Sequence, residues 1–445
     1  MATESRNPYR GYRPAYRGHN RSAAHARGVY GMELQEQGDA PRAAAEPTDE
    51  IATLREFTAS DADAEAFMSW ASDPLVARFQ SRDAFEHVGQ ARRYIADHVL
   101  PHPWYRAICV GSGSGSGAAV VVGSISVNPA PAEADGRLFR ASVGYHVARA
   151  QWGRGVATRA VRTAAKDVFA AWPWLRRLEA VADVENPASQ RVLEKAGFVR
   201  EGVLRKYIVL KGRPRDMVMF SLRHWALDGL RCSALLCSAS PPLEQTMEPS
   251  ADGDVQDRQQ RLEEVEGDAA ATPVPVVSLR PLGLEDTDAF MAWASDDRVM
   301  RFLKRPLCAT REQAVAQIRD TVLGHPWFRA ICVGGGDLPV GQVSVWPYAD
   351  EGSRRANLGY ALARDHWGRG IVTAAIKMVV ARVFDDLPGL ERLEAVTDVE
   401  NVRSQRVLEK AGFQREGVLR RYIAGRGGGQ AKDAVIYSFL SSDRP

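Results

Sequence analysis

The sequence predicts a mixed α/β protein built from two tandem copies of one domain. Three observations predict it. The chain has 445 residues, too many for one ordinary core, so two domains of under about 200 residues are expected. The stretch RLEAVADVENPASQRVLEKAGFVREGVLRKYI, from Arg177, returns from Arg392 as RLEAVTDVENVRSQRVLEKAGFQREGVLRRYI, identical at all but five positions. In each copy, short strand-like runs alternate with longer helical stretches, and helices fall between the later strands.

Other segments repeat in the same order: HPWYRAICV from His102 with HPWFRAICV from His325, and QWGRGVAT from Gln151 with HWGRGIVT from His366. The spacing, roughly 200 residues, is too long for a solenoid unit and reads as a duplicated whole domain. Residues 1–50 lack apolar periodicity and read as a disordered tail. Domain one spans 51–228, a polar linker with Pro241-Pro242 spans 229–273, and domain two spans 274–445. Within the linker, Gln256 to Glu266 has some helical character.

The elements follow in order. ATLREF and VVSLRPL read as opening strands. Acid-capped helices are expected over Ser60 to Ser72 and Leu284 to Ser295. RAICV, VVVGSISV with PVGQVSV, and ASVGYHV with ANLGYAL read as further strands. GSGSGSG at Gly111 and GGGD at Gly334 read as turns. A long helix starts at WGRG in each copy. Strand RLEAV, helix NPASQRVLEKAGF and a closing hairpin through Lys211-Gly212 complete the unit.

Bulk properties exclude several classes. A formal net charge of +3 gives no argument for nucleic-acid binding or a membrane surface. No apolar run approaches the roughly 20 residues of a membrane helix, and the N-terminus lacks an apolar h-region. The five cysteines form no C-x-x-C pair and no zinc spacing, and the nine histidines show no metal spacing. No metal is expected, and a cytoplasmic location is. RNPYRGYRPAYRGHNR near the N-terminus mixes Arg with Tyr, as RNA-binding tails do, but a solvated or organelle-targeting segment is the plainer reading.

The chemistry-bearing pattern is a glycine turn between strand and helix. Such a turn presents unpaired N–H groups and the positive helix end, which suit phosphate. Trp152, Gly153, Arg154, Gly155, Val156, Ala157 and Thr158 form it in copy one. Trp367, Gly368, Arg369, Gly370, Ile371, Val372 and Thr373 form it in copy two.

With the block N-x-x-S-x-R-V-L-E-K-x-G-F-x-x-E-G-x-L-R from Asn186 and from Asn401, this turn resembles the GNAT N-acetyltransferase superfamily, RimJ/RimL-like branch. Its pyrophosphate loop reads Q/R-x-x-G-x-G/A. The resemblance covers both domains and implies two GNAT folds, each a mixed, mostly antiparallel sheet flanked by helices. It implies acetyl-CoA as co-substrate. The fourth strand, at Tyr145, His146 and Val147 and at Tyr360, Ala361 and Leu362, would pair with the pantetheine arm. A bulge there would free an N–H for the acetyl carbonyl. Asn186 and Asn401 would hydrogen-bond the coenzyme where the fourth and fifth strands splay. Ser189 and Ser404, one helical turn on, would protonate the departing thiolate. Relatives dimerise, so the two copies could pair within the chain.

The departures matter too. The tyrosine acid found seven residues after the asparagine in many members is Leu193 and Leu408 here. The usual carboxylates are replaced by Ser142 and Asn357, and by Val181 and Val396. Glu179 and Glu394 are the remaining candidate bases, with pairing to a neighbouring Arg as the plainer reading; Asp183 and Asp398 share their strand face. Val372 replaces Ala157 and is expected to crowd the phosphate. Trp104, Trp327, Cys109 and Cys332 read as core residues, and His146 has no counterpart histidine.

The reaction implied is transfer of acetyl from acetyl-CoA to a primary amine, a protein N-terminus or a small molecule, by direct attack in a ternary complex. A non-catalytic acetyl-CoA-binding or scaffold protein is the alternative.

Overall fold

A computed structural model describes residues 50–112, 119–131, 138–223, 275–303, 305–349, 352–425 and 429–444. The expected tail and linker, including Gln256 to Glu266, and most of the GSGSGSG turn lie outside the described residues. Domain one runs β1 (Glu50–Arg55), α1 (Asp61–Ala71), α2 (Pro74–Ala77), α3 (Val88–Tyr94), β2 (Tyr105–Ser112), β3 (Val120–Pro129), β4 (Arg140–Val147), α4 (Val156–Ala171), β5 (Arg177–Asp183), α5 (Pro187–Lys195), β6 (Val199–Leu210) and β7 (Arg213–Arg223). Domain two repeats the order: β8 (Val277–Arg280), α6 (Thr287–Ala294), α7 (Asp297–Met300), α8 (Arg311–Gln317), β9 (Phe328–Val333), β10 (Pro339–Pro347), β11 (Arg355–Leu362), α9 (Ile371–Asp386), β12 (Arg392–Asp398), α10 (Val402–Lys410), β13 (Gln414–Ile423) and β14 (Lys432–Leu440).

Local signals explain these elements. Ser60 caps α1 by accepting from Asp63 N. Along α4, Val156, Ala160, Val161, Ala164, Ala165, Val168 and Phe169 form one buried stripe, the helical period of a core-facing face. They pack with Val143, Leu178 and Phe220 on one side of the sheet. Phe67, Trp70, Ile95, Tyr105 and Cys109 cover the other side. Trp104 and Trp327 are core residues as read from the sequence. The segment leading into HPW is helical in both copies, ending in a π-helical turn at Ile95–Val99 and Ile318–Val322. No described helix is long and apolar enough to cross a membrane.

The strands form one fourteen-stranded sheet in the order β1-β2-β3-β4-β5-β7-β6-β13-β14-β12-β11-β10-β9-β8. Only β4–β5 and β11–β12 pair in parallel. The two halves meet at β6 and β13, through the single ladder pair Gly202↔Gly417. A Cβ on either glycine would overlap the backbone oxygen of Glu416 or Glu201, so the approach demands glycine.

A reciprocal ionic clasp surrounds this point. Arg177 Nη2 meets Glu201 Oε2 at 2.6 Å within domain one, and its Nη1 donates to Arg420 O of domain two at 2.7 Å. Glu201 Oε1 also accepts Arg420 N at 2.9 Å and Ser221 Oγ at 2.6 Å. The mirror set joins Arg392 to Glu416 and to Arg205 O, both at 2.6 Å. Tyr422 stacks against Arg140 and Arg177, and Tyr207 against Arg355 and Arg392. Leu204, Met219, Leu419 and Ile436 form a small core shared by the two domains. Bulges in β6 and β13 aim these residues across the junction. Lys206 and Arg421 take left-handed φ of 47° and 50°, and their N–H groups donate to Asp216 and Asp433.

Burial disfavours the charged form of Glu201, but hydrogen bonding and charge from Arg177, with Ser221 and Arg420, outweigh it and hold the carboxyl below its ordinary range. Its contribution to stability is therefore complete above about pH 4.5 and is lost as pH falls through the depressed value. Arg177→Ala leaves Glu201 without its own arginine. We expect it to cost about 3–5 kcal/mol of unfolding free energy at neutral pH and to flatten the acid limb. Denaturant titration across pH checks both.

Candidate active site

β4 and β5 pair over only three positions, ending at Ser142↔Glu179. β5 then stays with β7 through all seven of its residues and leaves β4. β11 and β12 part at the equivalent place, Asn357↔Glu394. Ala148 N donates to Val122 O at 2.8 Å, which sets the alternation along β4. Even-numbered residues bond to β3, while the N–H group of Val143 closes the last pair with β5 and those of Tyr145 and Val147 face the gap. In domain two, Ala363 N on Val340 O sets Tyr360 and Leu362 toward the gap, with Leu358 closing the last pair with β12. The expected bulge in the fourth strand is absent. The β3–β4 and β10–β11 registers run unbroken, and the splay itself frees the N–H groups.

Across the gap, the Tyr145 hydroxyl lies 2.7 Å from Ser189 Oγ and donates to Ser189 O at 3.2 Å. Tyr360 and Ser404 repeat this, with hydroxyls 2.6 Å apart. Asn186 Oδ1 caps α5 by accepting from Ser189 N at 3.1 Å, and Asn401 Oδ1 caps α10 likewise. That leaves each side-chain amide N–H₂ for another partner. Burial pushes the Tyr145 hydroxyl up to about 12, against the hydrogen bond from Ser189; Tyr360 shifts the same way.

The glycine turn opens α4 as expected. Gly153 and Gly155 take φ of 78° and 74°, and Gly368 and Gly370 follow at 76° and 71°. Trp152 Nε1 donates to Val147 O at 2.9 Å and Trp367 Nε1 to Leu362 O at 2.9 Å, tying each turn to its strand. The α4 ladder begins with Arg159 N on Gly155 O, so the N–H groups of Val156, Ala157 and Thr158 have no helical acceptor. Ile371, Val372 and Thr373 match them ahead of Ala374 N. Arg154 rests on Gln151, 3.2 Å away.

Together, the turn, β4, β5, α5 and the α2 segment line a cleft of about 860 Å³ in domain one. His146 lines it too; burial, then nearby Arg82, lowers its imidazole to about 4, so it is neutral at pH 7. Ala361 stands in its place in domain two. The turn and the free strand N–H groups suit a phosphate-bearing thioester such as acetyl-CoA.

Several expected residues lie elsewhere. Glu179 is not part of the cleft lining. It accepts from Arg177 Nε at 2.8 Å, with Arg140 at 3.5 Å. Glu394 is 2% exposed and held by Arg392, Arg355 and Tyr348. Both belong to the clasp region. Leu193 and Leu408 are core residues. Val372 is buried in the core under α9, and Ala157 packs against the corresponding core. The predicted crowding of phosphate has no basis in this packing. Sequence reasoning missed the tyrosine hydroxyl. The signal was present as Gly-Tyr in both fourth strands and Asn-x-x-Ser in both helices.

A family model described as "Acetyltransferase (GNAT) domain" matches residues 52–199 and 277–414. An uncharacterized N-acetyltransferase of Bacillus subtilis (strain 168), YoaA, is 32% identical over 166 residues, which is 36% of this chain and 92% of that protein. A putative ribosomal N-acetyltransferase of the same organism, YdaF, is 34% identical over 96 residues, 21% of this chain and 50% of that protein. The solved structure of Mycobacterium smegmatis RimJ in complex with CoA-disulfide is 26% identical, covering 39% of this chain and 86% of its own, with a TM-score of 0.33.

Val372→Ala removes two buried methyl groups. We expect a loss of about 1–3 kcal/mol in stability, with acetyl-CoA affinity changed less than about twofold. Thermal unfolding and calorimetric titration read the two effects separately.

Proposed function

The chain belongs to the GNAT acetyltransferases, in two tandem domains, and we propose that each domain transfers acetyl from acetyl-CoA to a primary amine by direct attack. One observation carries the reading: in both copies a strand splay is bridged by a Tyr–Ser hydroxyl pair beside an open helix N-terminus. The turn and the first N–H groups of α4 and α9 hold the pyrophosphate. The strand N–H groups of β4 and β11 pair with the pantetheine arm, and that of Tyr145 or Tyr360 receives the acetyl oxygen. The amide N–H₂ of Asn186 or Asn401 is left to hydrogen-bond the coenzyme.

The amine nitrogen bonds to the acetyl carbon, and the oxygen charge that develops is met by that N–H. The carbon–sulfur bond then breaks. Ser189 or Ser404 passes a proton to the thiolate and the paired tyrosine relays its replacement, taking up in turn the proton that the amine releases through water, so that both hydroxyls end the cycle protonated. The proton lost by the amine passes to water, because Glu179 and Glu394 are engaged by arginines. A protein N-terminus is the favoured acceptor, supported by the name of YdaF, and a cytoplasmic setting fits it.

Thiol release from acetyl-CoA in the presence of peptides with free N-termini, and of small amines, tests the reading. Release with neither class would overturn it. Ser189→Ala with Ser404→Ala should lower kcat about 10²–10⁴-fold with a smaller effect on coenzyme binding. Full turnover in that double variant would make water the acid. Tyr145→Phe with Tyr360→Phe should lower kcat without raising KM for acetyl-CoA. Because the Tyr145 hydroxyl keeps its proton to about 12, the wild-type rate should rise with pH as the amine deprotonates and show no alkaline fall below about pH 10.

A further inference from the structure

Three arginines stand at the coenzyme turn of domain one, and two are engaged. Arg154 Nη1 donates to Gln151 Oε1 at 3.2 Å. Arg162 Nη2 donates to Lys195 O at the end of α5. Arg159 differs. Its Nε and Nη2 are shielded from water and have no hydrogen-bond partner among the described residues. Those two nitrogens form the side edge of the guanidinium, the fork that accepts two oxygens of one phosphate or carboxylate. Nη1 lies 3.1 Å from where a Gly155 Cβ would stand, so the group folds back over the turn. Arg159 also lines the cleft. A buried, unpaired donor edge is costly, and an anion at the first turn of α4 removes that cost. The equivalent residue of domain two, four positions after Gly370, is Ala374.

We propose that Arg159 is a pyrophosphate clamp that domain one has and domain two lacks, so that the two domains bind acetyl-CoA with unequal affinity. This rests on the coenzyme assignment above and adds to it a residue outside the glycine turn. The clamp predicts two classes of site on one chain, separated by the strength of a charge-assisted bidentate contact.

Calorimetric titration of the full chain with acetyl-CoA tests it. The wild type should show two classes of site differing about 10- to 100-fold. Arg159→Ala should merge the tighter class into the weaker. Arg159→Lys, which keeps the charge and loses the fork, should fall between. Ala374→Arg should tighten the weaker class, a gain that misfolding cannot mimic. The losses in Arg159→Ala should be equal with dephospho-CoA; a loss confined to the 3′-phosphorylated coenzyme would overturn the pyrophosphate assignment. Equal wild-type sites, unmoved by Arg159→Ala or Ala374→Arg, would overturn the clamp while leaving coenzyme binding intact. Absence of acetyl-CoA binding at both sites would overturn the function on which the clamp rests.

Discussion

The structure depends on a carboxylate shared by two arginines from different domains. Glu201 is 1% exposed at its side chain and sits between Arg177 of its own domain and Arg420 of the other. Glu416 holds Arg392 and Arg205 in the mirror arrangement. Removing a carboxylate from water is costly, and the cost is offset only when its lone pairs are fully used. Here Ser221 and Ser438 and the N–H groups of Arg420 and Arg205 complete the set. Neither domain alone can satisfy its glutamate this way. The shared apolar patch at Leu204 and Leu419 would also face water in a separated domain. Pairing of the two copies is thus a condition of their individual burial.

The same arginines position the cleft. Arg177 is the first residue of β5 and pairs with Arg140 at the start of β4, with Glu179 between the two guanidiniums. This pins β4 and β5 together at one end. Beyond it, β5 is committed to β7, while β4 continues alongside β3. The β4–β5 pairing ends after three positions, and the separation leaves alternate N–H groups of β4 unpaired. The Tyr145–Ser189 contact joins β4 to the helix that follows β5. The ionic clasp and the cleft are the two ends of one strand pair.

Most of this was legible in the sequence because the duplication acts as an internal control. WGRG before a helical period, and Asn-x-x-Ser before another, each occurred twice at the same offset, so the turn and the cap were readable. The E-G-x-L-R run was also duplicated, but its role was not legible. Glu201 and Gly202 act through contacts with Arg420 and Gly417, more than two hundred residues away, and no local periodicity encodes such pairing. Glu179 left two readings open, a base and an ion pair. Arg177, two residues before it, made the ion pair readable, while the second partner, Arg140, comes from another strand. Val372 showed the limit of reasoning from size alone, since its place in the core decides what it packs against.

Fusing two copies changes what can vary between them. In a dimer of identical chains, any change at a site appears in both sites. In this chain the two sites differ: Arg159 faces Ala374 in the alignment of copies, His146 faces Ala361, and Asn128 faces Trp346. Asn128 Oδ1 accepts from His102 Nε2 at 2.7 Å, whereas Trp346 turns its Nε1 to Ser344 and packs on His325. The junction, by contrast, uses the same residue types on both sides, Arg177 with Arg392, Glu201 with Glu416, Gly202 with Gly417 and Arg205 with Arg420. The physical reason is that the junction is self-complementary: each member touches its counterpart's neighbours, so a change on one side leaves a buried group unpaired on the other. Residues around the clefts carry no such reciprocal burden. Two sites carried on one chain are thus free to differ, where the sites of a dimer of identical chains are not.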